Sequence, residues 1–66
     1  RDRLLIQSKK NKINNIELYS FNGIKILDQN INSTLYTMNV SDLNFGNYLI
    51  IINFKNFSKQ VKFVKK

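Results

Sequence analysis

Apolar and polar residues alternate with a period of two along most of this chain. Ile16 and Leu18 flank Glu17, Ile24 and Ile26 flank Lys25, and Tyr36, Met38 and Val40 alternate with Thr37 and Asn39. Successive side chains of an extended strand point to opposite faces, so this period predicts strands buried on one side. One run departs from it. Tyr48, Ile50, Ile52 and Phe54 share one parity, while Leu49 and Ile51 put apolar groups on the other. A strand apolar on both faces sits centrally in its sheet or lies under another layer. The pattern predicts strands over 3–7, 15–20, 24–29, 34–40, 47–54 and 58–65. Shared parity predicts Tyr48, Ile50, Ile52, Met38, Val40, Ile16, Leu18 and Ile26 among the buried residues.

Turn chemistry separates these runs. Phe21-Asn22-Gly23 links two strands, and Asn-Gly supplies the positive φ of a tight hairpin. Asn30-Ile31-Asn32-Ser33 is predicted to be a polar loop, and Ser41 to Gly46 a longer connection ending in the second glycine. Lys55-Asn56-Phe57-Ser58 closes a final hairpin. Short strands at regular spacing, joined by hairpins, predict an all-β fold, a small antiparallel sandwich. The chain has 66 residues, enough for one domain and a marginal core.

Composition narrows the chemistry. There is no cysteine and no histidine, which removes disulfides, thiol and imidazole catalysis, and the usual zinc sites. The four acids, Asp2, Glu17, Asp28 and Asp42, are scattered, and Gly23 and Gly46 are isolated. No carboxylate pair for glycoside chemistry and no phosphate-cradling loop emerges. The expectation is a protein that is not an enzyme and holds no cofactor or metal. No stretch reaches the roughly 20 apolar residues of a membrane span, and the N-terminus has no signal-peptide pattern.

The net charge of +7 is unevenly spread. Residues 26–54 contain two aspartates and no Lys or Arg, whereas residues 55–66 contain five lysines and no acid. Such an end argues about partners and not about fold. Phe54, Phe57 and Phe63 near Lys55, Lys59 and Lys62 make a conceivable stacking platform for nucleic acid. The alternation favours Phe54 and Phe63 as core and the lysines as a solvated face, so no nucleic-acid partner is expected. Edge lysines also deter sheet-to-sheet aggregation. Tyr48 after Gly46 is expected to pack its ring inward with its hydroxyl near the rim, the glycine serving a positive φ. The alternation runs unbroken into Lys65, which predicts a docked end and not a frayed one.

These residues carry a pattern. Ile13 to Ile26 fits I-x-x-(V/I)-x-(I/L)-Y-(D/S)-x-x-G-x-x-(I/V), and Met38 to Leu49 fits (I/M)-(D/N)-(V/L)-S-x-L-x-x-G-x-Y-(L/V). Lys62-Phe63-Val64-Lys65-Lys66 fits K-(F/L)-(V/I)-(K/V)-K. In order, spacing and position these resemble the type A C-terminal sorting domain of cargo proteins of the type IX secretion system of Bacteroidota, over about residues 3–66. The resemblance implies a seven-strand, immunoglobulin-like sandwich with six strands present. The usual opening Pro-Asn-Pro segment is missing, which suggests an N-terminally truncated piece of a longer cargo protein that self-associates through the open edge beside 3–7. It further implies an address recognised by the outer-membrane translocon and its shuttle barrel protein. A sortase-like surface peptidase would then remove it, with the cargo at the cell surface or secreted. Gly46, Tyr48, Lys62, Phe63, Val64, Lys65 and Lys66 are the expected recognition residues. Two other readings compete: a surface immunoglobulin-like adhesion or carbohydrate-binding module, and a basic nucleic-acid-binding domain with steep salt dependence. A sorting domain would end its reading frame at Lys66, whereas an adhesion module need not.

Overall fold

The computed structural model describes residues 2–66 and contains six strands: β1 (Arg3–Gln7), β2 (Ile13–Ser20), β3 (Lys25–Ser33), β4 (Leu35–Asn39), β5 (Gly46–Asn53) and β6 (Ser58–Lys65). They form two antiparallel sheets, β1-β4 and β3-β2-β5-β6. Ile6, Met38 and Val40 from the small sheet and its flank share one core with Ile13, Ile16, Leu18, Ile50, Ile52 and Phe54 from the large one. β5 lies between β2 and β6, as its two apolar faces require. Only β2-β3 and β5-β6 are hairpins; the other three connections pass between the sheets, where hairpins throughout had been expected. A sandwich needs such crossings, because each sheet must receive strands that are not consecutive.

Most of the predicted core is buried, and two residues differ. Ile26 is 45% exposed. The pairing runs Leu18↔Leu27 and then Tyr19↔Lys25, so Ile26 is the extra residue of a β-bulge and the parity of β3 changes there. Leu27 packs against the core in its stead. Tyr48 is half-buried, because its ring tilts against Phe63 at 6.0 Å between centroids near the sheet edge.

The predicted loop at residues 30–33 is instead the end of β3. A second bulge falls between Ile13↔Ser33 and Asn15↔Asn30, with Asn32 at φ 52. Asn tolerates the left-handed region, so the ladder survives and Ile31 reaches the core. At the β2-β3 turn only the glycine takes positive φ, with Gly23 at 86. Its N–H donates to the Ser20 carbonyl at 3.0 Å, and the Ser20 N–H donates to the Ile24 carbonyl at 2.9 Å. This is a three-residue loop and not the two-residue Asn-Gly turn.

Gly46 opens β5 at φ 148. A Cβ there would touch nothing within 4 Å, so any penalty for a side chain comes from backbone strain and not from a clash. Gly46→Val is expected to cost about 1–3 kcal/mol, seen as a lower thermal unfolding midpoint. An unchanged midpoint would show that the glycine is dispensable.

Candidate recognition surface

Three features meet around β6 and the adjoining sheet. The first is a free strand edge. Phe54 N–H donates to the Phe57 carbonyl at 2.8 Å. In an antiparallel ladder hydrogen-bonded pairs alternate, so Ile52/Lys59, Ile50/Val61, Tyr48/Phe63 and Gly46/Lys65 are the bonded pairs in phase with it. Gln60, Lys62 and Val64 therefore turn their N–H and C=O groups away from β5, along an edge with no neighbouring strand among the described residues. The pairing of β6 with β5 runs from Ser58 to Lys65 without a register shift.

The second feature is the anchored end. The Lys65 ammonium donates to the Val40 carbonyl at 2.6 Å, joining β6 to the segment that follows β4. Lys65 is accordingly half-buried, whereas Lys66 is exposed. This agrees with the predicted docked end. The expected geometry of Tyr48 also holds: its hydroxyl donates to the Asn44 carbonyl at 2.7 Å, closing the connection before β5. Phe63 is half-buried against Tyr48, while Phe54 is buried and stacks on Phe57 at 4.6 Å.

The third feature was not singled out from the sequence. On the outer face of the large sheet, Leu49 and Ile51 of β5 line an open groove of about 530 Å³ with Tyr19, Phe21, Lys62 and Val64. Phe21 and Val64 are 84% and 52% exposed. The signal for it lies in the second apolar face of β5, which by itself predicts a strand central in its sheet or under another layer. Of the seven expected recognition residues, Tyr48, Lys62, Phe63 and Val64 border this groove. Gly46 pairs with Lys65 on the adjoining ladder rung, and Lys66 follows it in the chain.

Beside the groove lies a polar cluster that ties three strands together. Glu17 accepts from the Tyr19 hydroxyl at 2.6 Å and from the Asn53 amide at 2.7 Å, with the Lys25 ammonium 3.4 Å away. Asp28 accepts from Asn15 at 3.0 Å and from Lys25 at 3.2 Å. The bulge at Ile26 lets Lys25 and Asp28 meet on one face. The Tyr19 and Asn53 hydrogen bonds hold the Glu17 carboxyl below its ordinary value, and the Asn15 and Lys25 bonds do so for Asp28. The bond to Glu17 raises the Tyr19 phenol, and the bond to Asp28 raises Lys25.

A carboxyl lowered in the folded state stabilises the fold above its unfolded value and loses that contribution as pH falls through the folded value. The unfolding midpoint is therefore expected to hold from neutral pH to about pH 5 and to fall below about pH 4. Glu17→Gln should flatten that fall; an identical acid profile in the variant would remove Glu17 from the account.

Among the described residues no helix is long and apolar enough to cross a membrane, and no group of three or more acidic, His or Cys residues is placed to hold a metal. No curated protein and no solved structure matches the chain. The family model described as the secretion system C-terminal sorting domain matches residues 1–66, the whole of the sequence. That family belongs to type IX secretion and is not a class of enzymes, and it implies export to the cell surface or release through contact with the secretion machinery. With its two-sheet β-fold, its unbroken C-terminal strand and a match over its full length, this chain belongs to the family of type IX secretion C-terminal sorting domains.

Proposed function

We propose that this domain is an address without chemistry of its own, read by the outer-membrane translocon and its shuttle barrel protein and then removed by a sortase-like surface peptidase. The observation that carries this reading is β6, a regular strand whose edge carries no partner among the described residues and whose end is anchored by Lys65 to Val40. An address needs a distinctive, rigid surface and no pocket for a substrate. Gly46 and Tyr48 shape the start of β5, against which Lys62, Phe63, Val64 and Lys65 are aligned, and Lys66 extends the basic end. The lysines favour an acidic partner surface and speed encounter with it. The host would be a member of the Bacteroidota.

The test is a fusion of a signal peptide, an unrelated folded protein and residues 1–66 preceded by their native upstream strand. It should reach the surface of a Bacteroidota host only when the type IX system is intact. Surface delivery in a strain lacking that system, or retention in both strains, would refute the proposal.

The strand order also supports an immunoglobulin-like arrangement with a seventh strand beside β1, as expected for a piece of a longer cargo protein. Val40 N–H donates to the Asp2 carbonyl and Ser8 N–H to the Thr34 carbonyl, each at 2.8 Å. In phase with these, Arg3, Leu5 and Gln7 direct their backbone groups to the free side of β1. Two strands facing four leave room there. Sedimentation of residues 1–66 is expected to show self-association through this edge, and addition of a Pro-Asn-Pro-containing strand should suppress it. A monomer without that strand would contradict the prediction.

A further inference from the structure

Among the described residues four strand edges are free, and they are not equivalent. β3 is interrupted by two bulges and by Asn32 at φ 52, which bend an edge away from regular pairing. β1 and β4 are each five residues long, and among their residues only Arg3 is charged. β6 is eight residues long, unbroken, and flanked by lysines.

We propose that the free edge of β6 binds an extended acidic and apolar segment of another protein, which adds to the large sheet as a fifth strand. This rests on the sorting reading above and specifies the chemistry of the partner. Main-chain bonds to Gln60, Lys62 and Val64 would supply affinity, and side chains on alternate faces would supply selectivity. On the inner face the incoming strand meets Val61, which is 44% exposed, and the half-buried Phe63. Apolar side chains fit there, because directly opposed side chains on neighbouring strands come within about 4.5–5.5 Å at Cβ.

On the outer face it meets Lys62 and then Val64, where the groove over Leu49 opens. A carboxylate fits the first position and a bulky apolar group the second. Residues 55–66 contain five lysines and no acid, so charge complementarity selects an acidic segment. A second copy pairing β6 against β6 would set lysine strand against lysine strand, and like charges across a ladder are destabilising.

The probe is a synthetic peptide alternating Val and Glu, with Leu in place of the one Glu that would face Val64, added to the isotopically labelled 66-residue chain. Amide exchange should slow at Gln60, Lys62 and Val64, and affinity should fall with added salt. Gln60→Pro removes an N–H that faces away from β5, a position where an edge strand tolerates proline. It should leave thermal unfolding unchanged and weaken the peptide about tenfold, the loss for a main-chain bond left unmade. A peptide N-methylated at alternate residues leaves the protein untouched and should lose affinity to the same degree. A peptide alternating Val and Lys should not bind.

Undiminished binding of the N-methylated peptide, equal binding of the lysine peptide, or protection at Arg3, Leu5 and Gln7 instead would each overturn the proposal. The export fusion separates the two readings. If Gln60→Pro weakens peptide binding about tenfold while export continues at the unmodified rate, edge docking is overturned as the recognition step and the sorting function stands. If the unmodified fusion is not exported, the sorting function itself fails.

Discussion

A fusion lacking Lys62 to Lys66 is expected to remain in the periplasm while the intact fusion reaches the cell surface. The deletion removes the outward backbone groups of Lys62 and Val64, the Phe63 ring against Tyr48, and the Lys65 bond to Val40 in one step. It also opens the flank of β5, so a melting curve of the truncated domain must accompany the export assay. Charge alone is expected to matter less, since a rim charge mainly tunes the rate of encounter. Lys65→Gln with Lys66→Gln should therefore slow export without abolishing it, because the strand and its edge persist. If the five-residue deletion is exported as well as the intact fusion, the C-terminal strand is not the signal.

The second large effect concerns stability and contrasts two isoleucines that look alike in sequence. Ile16 is fully buried between the sheets, with Ile52 opposite it across the ladder. Ile16→Ala is expected to cost about 2–5 kcal/mol, from lost transfer energy and the cavity left behind. Small domains are stable by only about 5–15 kcal/mol, so this one change removes a large share. Ile26→Ala should stay within about 0.5 kcal/mol, as for a surface substitution. Urea unfolding of both variants measures the contrast. Equal losses would mean that Ile26 packs inward and that the bulge is not populated in solution.

Ile26 also marks the limit of the period-two pattern. Parity holds only while each residue of a strand opposes one residue of its neighbour. One inserted residue reverses it, and nothing in Ile24-Lys25-Ile26-Leu27 announces the insertion, since Ile26 and Leu27 are adjacent and apolar and either can supply the inward side chain. The segment at residues 30–33 failed for the same reason in the other direction. Its asparagines look like a loop, yet one of them at positive φ absorbs a bulge and carries the strand onward to Ser33. In β5 and β6, where no bulge intervenes, the predicted and observed boundaries differ by no more than one residue.

The candidate surface divides in the same way. The basic composition of residues 55–66, the terminal alternation and the Gly46-Tyr48 spacing are local, and the sequence alone carried them as far as a family resemblance. The β-period, the absence of cysteine and histidine, and the six strands are likewise properties of the linear chain, because each depends on neighbouring residues or on simple counts.

Tertiary structure decided which strands became neighbours. It placed β5 between β2 and β6, split the sheets four to two, and left β6 with an open edge. It also brought Tyr19, Phe21, Leu49 and Val64 into one groove and set Lys65 on Val40. These contacts join residues far apart in sequence, and only the packing of two twisted sheets over a shared core fixes their register.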